Sequence, residues 1–100
     1  KLPPYSFLLK LSVTYKTETA TVKNIRALYK KVIQTIKQLQ IPENRIVVSP
    51  PMPAFHERTS TGYTWQLVIK AKSRQNLLDI FDHLPKNSYL HYDFDPISLL

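Results

Sequence analysis

Two segments of the chain alternate between apolar and polar residues with the two-residue period of a β-strand: Phe7–Tyr15 and residues 63–72. Because successive side chains of a strand point to opposite faces, each segment predicts a strand with one covered face. Residues 46–48 and 89–95 predict a shorter second strand and a fourth strand. The prolines at 50, 51 and 53 cannot donate to a ladder, so we expect pairing to stop after residue 48.

Two other segments have the spacing of helices. The first follows Thr17 or Thr19, either of which can cap it, and Pro42 stops it. Its apolar positions are Val22, Ile25, Tyr29, Val32, Ile36 and Leu39, widened by Leu28 and Ile33. The second follows a cap at Ser73 and ends before Pro85, with Leu77, Leu78, Phe81 and Leu84 on its apolar side. Gly62, the only glycine, is expected to need a positive φ where the polar segment 55–61 meets the third strand.

The order β-α-β-β-α-β predicts an α+β fold of the ferredoxin-like kind, a two-layer sandwich. We expect a four-stranded antiparallel sheet with both helices on one face and with the first and third strands at its centre. Tyr63 and Trp65 share the apolar side of the third strand, so we expect them in the core and not as platforms for unpaired bases. The uncovered face is expected to be polar and basic, with Lys10, Ser12, Thr14, Gln66, Val68 and Lys70.

Length and composition narrow the picture. One hundred residues, 43% of them hydrophobic, suit one domain over residues 1–100. Without cysteine, disulfides and thiolate metal sites are excluded. No apolar run reaches the roughly 20 residues of a membrane span, and no signal peptide opens the chain, so we expect a cytoplasmic protein.

The net charge of +7 favours polyanionic partners, and it is unevenly distributed. Residues 1–40 hold eight basic residues and one acidic residue, whereas residues 75–100 hold one and four. We therefore expect one side of the domain to bind DNA. The candidate DNA-binding residues are Lys10, Lys23, Arg26, Lys30, Lys31, Lys37, Lys70 and Lys72. The lysines of the first helix could equally be a solvated surface.

Enzyme chemistry finds little support in the sequence. A chain with one glycine has no phosphate-binding loop, and His56, His83 and His91 lack metal-ligand spacing. Asp93 and Asp95 share one side of a strand, but they more plausibly cap a turn or pair with basic residues than act in catalysis. We therefore expect no catalytic residue, no metal and no cofactor in this domain.

Four segments together resemble one family: residues 2–5 (LPPY), 49–54 (SPPMPA), 62–70 (GYTWQLVIK) and 92–100 (YDFDPISLL). In order and spacing they are similar to the C-terminal domain of the primosomal replication-restart helicase PriA (primosomal protein N′). The resemblance implies a fold similar to ribosomal protein S10. It also implies a bacterial parent protein that is an ATP-dependent 3′-to-5′ DNA helicase in replication restart and DNA repair, with ATP, Mg and Zn bound outside this domain.

The resemblance further implies binding of branched or forked DNA, docking on the helicase core of the parent chain, and a contribution to the site for the acidic tail of single-stranded DNA-binding protein. For that tail, a family arginine falls on Arg74, while the glutamine four positions later is matched by Leu78. Two alternatives stay open: a protein-docking module without DNA binding of its own, and an S10-like ribosomal or transcription protein.

Overall fold

A computed structural model describes residues 7–54, 62–86 and 89–96, with the backbone alone at 95 and 96. The elements run β1 (Phe7–Tyr15), α1 (Glu18–Gln38), β2 (Ile46–Val48), β3 (Met52–Pro53), β4 (Tyr63–Ala71), α2 (Arg74–Asp82) and β5 (Leu90–Pro96). A 3-10 turn, Glu43–Arg45, precedes β2. The predicted leading segment at Pro3 and Pro4, the polar segment 55–61 and the tail 97–100 lie outside the described residues.

All strand pairs of the sheet are antiparallel. The order is β2-β4-β1-β5, with β3 also paired to β4, so β1 and β4 form the centre as predicted. Both helices contact β1 and β4, and the buried side chains form one cluster between the helices and the sheet. This mixed α+β arrangement is consistent with the ferredoxin-like prediction.

The prediction that pairing stops after Val48 is wrong. Beyond the ladder of β2, Met52 and Pro53 pair again with β4, opposite Gln66 and Trp65. The register shifts by one residue between the two ladders, so Pro50 and Pro51 together stand opposite a single residue of β4, which is a β-bulge.

Ser49 maintains the hydrogen bonding at this bulge. Its backbone N–H donates to the Val68 carbonyl (2.8 Å), and its hydroxyl accepts from the Val68 N–H (2.9 Å). The side-chain oxygen therefore takes the place that a strand carbonyl has in a regular ladder. The strand continues past two prolines at the edge of the sheet, where proline is tolerated because its missing N–H faces outward.

The core has the predicted apolar content, but α1 is turned slightly from the predicted stripe. Its fully buried positions include Thr21 and Thr35, while Val22 and Tyr29 are only half-buried on one flank. Both threonine hydroxyls donate to the carbonyl four residues earlier, and Thr21 also reaches the Tyr63 carbonyl at 3.1 Å. These bonds compensate for burial of the hydroxyls.

The helix ends follow local chemistry. Thr17, not Thr19, is the N-cap of α1, since its hydroxyl accepts from the Ala20 N–H. At the other end, Gln40 adopts φ 59°, its N–H donates to Lys37, and the Ile41 N–H donates to Ile36. These two bonds define a Schellman motif. The Schellman motif, and not Pro42, therefore ends the helix.

Gly62 has the positive φ that the sequence predicts, at 149°. A Cβ at this position would lie 2.3 Å from the Tyr15 carbonyl oxygen, because the backbones of β1 and β4 meet closely here. Only glycine fits this approach. The ladder beyond it begins at the pair Tyr15 and Tyr63.

Candidate nucleic-acid interface

The outer side of α1 carries a row of cations. Lys23, Arg26, Lys30 and Lys37 are all exposed and lie opposite the buried stripe, and we call this set the basic face. At about 1.5 Å per residue the row is about 20 Å long. Glu18 is the only acidic residue in the helix. It lines the same groove as Lys23, Arg26 and Lys30, so one carboxylate offsets part of the charge at the N-terminal end of the row. Such a row can contact several phosphates of a nucleic-acid backbone.

Lys31 is exposed on the other flank of the same helix. Instead of extending the basic face it lines a pocket between α1 and the end of α2. The candidates on α1 therefore divide between two surfaces.

The uncovered face of the sheet is less basic than predicted. Lys10 and Lys70 stand on it with the expected polar neighbours, and the hydroxyls of Thr14 and Thr64 are hydrogen-bonded at 2.8 Å. However, the register places Asp93 of β5 directly opposite Lys10. Opposite charges on adjacent strands attract each other, so part of the positive charge of this face is compensated.

The remaining basic candidates lie near the opposite end of the sheet from the turn between β1 and α1. Lys72 follows β4 and is exposed, and its N–H donates to the Arg45 carbonyl at 3.1 Å. Arg74, also exposed, begins α2 after the Ser73 cap. Leu78, one turn further along, is half-buried. Sequence analysis missed Arg45, since only the pairing of β2 with β4 brings it beside Lys72.

Most of the acidic side chains belong to elements other than α1. Asp79 and Asp82 belong to α2 and Asp93 to β5, whereas α1 is basic. On α2, Phe81 packs against Tyr92 (ring centroids 4.5 Å apart) and carries the Lys86 ammonium at 4.7 Å. Because α2 also carries Arg74 and is followed by Lys86, this part is close to neutral, while α1 keeps a net positive charge.

Three tyrosines gather where β1 ends. Tyr15 pairs with Tyr63 across the sheet, and its ring stacks on Tyr89 with centroids 4.6 Å apart and planes at 15°. Tyr63 is 42% exposed and Tyr89 is 52% exposed. The prediction that Tyr63 belongs to the core is therefore wrong, although Trp65 does pack against the core. In a small sheet, the ends of the apolar face stay partly exposed to solvent.

Two cavities border α1. The first, of about 450 Å³, lies between α1 and the segment joining α2 to β5, and includes Tyr15, Asn24, Lys31 and His83 in its lining. The second is an open groove of about 920 Å³ along the basic face, with Val22, Tyr29 and Pro51 among its lining residues.

Within the described ranges, no three histidine or acidic side chains are grouped closely enough to hold a metal ion. In the same part of the chain, no helix has the length and apolar character needed to cross a membrane.

Comparison with known proteins adds one family and one fold neighbour. The family model for the primosomal protein N C-terminal domain matches residues 1–97. Among solved structures, the hypothetical protein ORF119 from Sulfolobus islandicus rod-shaped virus 1 is similar in fold, with a TM-score of 0.50 and 13% identity over 93% of this chain and 67% of that one. No curated protein matches the sequence significantly.

Proposed function

Since the chain belongs to the family of primosomal protein N C-terminal domains, a non-catalytic family connected with primosome assembly in DNA replication, we propose that it binds branched or forked DNA during replication restart. The observation that carries this proposal is the basic face of α1. Its four exposed cations follow one side of a single helix, against one carboxylate, Glu18, in the first turn.

The two surfaces of basic residues have different roles in this proposal. The basic face makes the principal phosphate contacts, because four cations share it with a single carboxylate, Glu18. Lys10, Lys70 and Lys72 contribute less, since Asp93 lies opposite Lys10 and the other two are not part of a row of cations. Lys31 contacts phosphate from the other flank of α1, away from the basic face.

The salt dependence of DNA binding tests this assignment. Each phosphate contact contributes about −0.9 to the slope of log K against log salt. Replacing Lys23 and Lys30 by glutamine should therefore flatten the slope by about 1.8. The matched control, Lys10→Gln with Lys70→Gln, removes the same charge from the sheet face and should change the slope little. Fluorescence anisotropy with forked and with fully duplex DNA provides the measurement.

Equal effects of the two double variants would contradict the assignment to α1. If the unaltered chain does not bind DNA even at low salt, the proposal that it binds DNA is wrong. Comparison of the two DNA substrates also separates fork preference from general duplex affinity.

We further propose that the domain acts within an ATP-dependent 3′-to-5′ helicase in the bacterial cytoplasm, where it contacts the helicase core and the acidic tail of single-stranded DNA-binding protein. The support is family membership, and the proposed S10-like fold is supported by the element order. Exposed Arg74 is the candidate for the tail. Arg74→Ala should weaken the binding of an acidic tail peptide and leave DNA binding unchanged. Loss of both binding activities together would refute this role.

The groove beside α1 favours a second candidate function, docking on another protein. The floor of the groove is apolar, formed by Val22, Tyr29 and Pro51, and it lies next to Lys23 and Lys30. This combination fits the surface of a protein partner better than it fits a phosphate backbone. Val22→Asn, which removes apolar surface without adding a charge beside Lys23, would then abolish association with the helicase core while the DNA salt slope is kept. If the variant still associates normally, the groove is not the docking surface.

A further inference from the structure

The cavity of about 450 Å³ at the tyrosine end of the sheet has the size of a small-molecule site. Its walls are mostly apolar and come from four elements or connections, including Val13 of β1, Leu28 of α1 and Leu90 of β5. Tyr15 forms part of the lining, and its ring is held in place by the stack on Tyr89. The cavity thus offers an aromatic and aliphatic surface that is already ordered.

The polar side chains of this lining offer two hydrogen-bond acceptors beside several donors. The Asn24 amide nitrogen donates to the Ala20 carbonyl at 2.8 Å, which leaves its Oδ1 to accept. His83 Nδ1 lies 2.8 Å from the Asp79 carbonyl, and since a carbonyl only accepts, Nδ1 carries the proton. In the neutral ring, Nε2 is then a second acceptor. Lys31 adds one cation to the lining.

We propose that this cavity binds a base of an unpaired DNA strand, so that the domain holds single-stranded DNA at a place separate from the basic face. The apolar and aromatic walls receive the flat face of the base. Asn24 and His83 accept from the exocyclic amino group of adenine or cytosine, and Lys31 contacts the adjoining phosphate. This inference rests on the proposed DNA binding and adds to it a site for the unpaired part of a fork.

The acceptors distinguish a base from the other ligand that an apolar, partly cationic cavity could take, the carboxylate end of an acidic peptide. A carboxylate can accept from Lys31 and from the second Asn24 N–H, but it has no proton to give to Asn24 Oδ1 and His83 Nε2, whereas an amino group can donate to them. Thymine, which has no amino group, should also bind less well than adenine. The composition of the cavity therefore makes a prediction about base identity.

The experiment compares labelled single strands of twelve nucleotides by fluorescence anisotropy. The strands are oligo-dA, oligo-dT and an abasic strand with the same phosphates and no bases, and a duplex serves as a further ligand. Base stacking on aromatic side chains contributes enough to change affinity about tenfold. We therefore expect the chain to bind oligo-dA about ten times more tightly than the abasic strand, with oligo-dT between them.

Two variants close or alter the cavity. Asn24→Leu removes an acceptor, and Pro85→Trp fills the space from an exposed position after α2 that does not border the basic face. Gln34→Leu is the matched control, because it also replaces an exposed amide on α1 but does not line the cavity. Far-UV circular dichroism verifies that all three fold. Both cavity variants should lose the preference for oligo-dA and keep the duplex affinity, and the control should change neither.

Equal binding of abasic strand and oligo-dA by the unaltered chain would overturn this inference and leave duplex binding by the basic face intact. Failure to bind any of the DNA ligands would remove the proposed function as well. A peptide of alternating Asp and Phe provides the remaining arm. If Asn24→Leu weakens that peptide but not the preference for oligo-dA, the cavity is a peptide site and the inference is wrong.

Discussion

Replacing Gly62 by alanine is expected to be the most damaging small substitution on the sheet. The new Cβ would lie 2.3 Å from the Tyr15 oxygen and 2.9 Å from the Tyr15 carbonyl carbon, both inside the 3.0 Å that real Cβ atoms respect. Neither atom belongs to a flexible side chain, so β1 and β4 must separate where their ladder begins. The variant therefore strains the backbone and weakens the pairing at once.

The size of the effect follows from three contributions. An alanine held at φ 149° costs about 1–3 kcal/mol. Loss of one or two ladder hydrogen bonds costs about 0.5–1.5 kcal/mol each. The lower entropy of the unfolded alanine chain offsets about 0.4–1 kcal/mol. The central values of these contributions sum to a net loss of about 3 kcal/mol, which lowers the melting temperature by about 12–24 °C for a domain of this size.

Urea unfolding followed by circular dichroism and by Trp65 fluorescence measures this loss. Gly62→Ser is the companion variant, since serine brings the same Cβ to a φ of 149°, a region that essentially only glycine adopts. If the close approach to Tyr15 dominates, the two variants are equally unstable. A loss below about 1 kcal/mol for Gly62→Ala would refute the reasoning, because the strands would then yield at almost no cost.

Two further substitutions test the local chemistry of the fold. Gln40→Gly should stabilise the chain by about 0.5–1 kcal/mol in thermal unfolding, because glycine adopts the φ of 59° without strain, and a decrease in melting temperature would contradict the Schellman assignment. Ser49→Ala should cost about 1–2 kcal/mol in urea unfolding, since the Val68 N–H loses its acceptor, and a stability equal to that of the unaltered chain would show that the bulge does not depend on this hydroxyl.

The elements themselves follow well from the sequence, because their periods differ and their ends carry local signals. The alternation at Phe7–Tyr15 predicts β1 to the residue, and Ser73 caps α2 as expected. The bulge after Ser49 does not follow from the sequence. A proline in a strand normally argues against pairing, and only the partner strand shows that Ser49 supplies the missing acceptor.

The candidate site is less predictable than the fold, because it depends on which strands become neighbours. Sequence periodicity places Lys10 on the uncovered face, but the partner Asp93 is more than eighty positions away along the chain. Arg45 and Lys72 likewise meet only through strand pairing. The stack of Tyr15 on Tyr89 has the same origin. The local sequence pattern predicts which face of the sheet a side chain occupies, whereas the strand register determines its neighbours on the adjacent strands.

The rotation of α1 connects these observations. Thr21 and Thr35 enter the core with their hydroxyls bonded to the helix backbone. The side of α1 that faces the sheet therefore contains fewer apolar residues than the sequence predicts. That rotation leaves Tyr29 half-buried beside the basic face and turns Lys31 toward the cavity at the tyrosine end. The helix period separates Lys31 from the row of cations, and the rotation places that lysine beside the cavity. In our proposal, a duplex contacts the row while an unpaired strand occupies the cavity, as a fork requires.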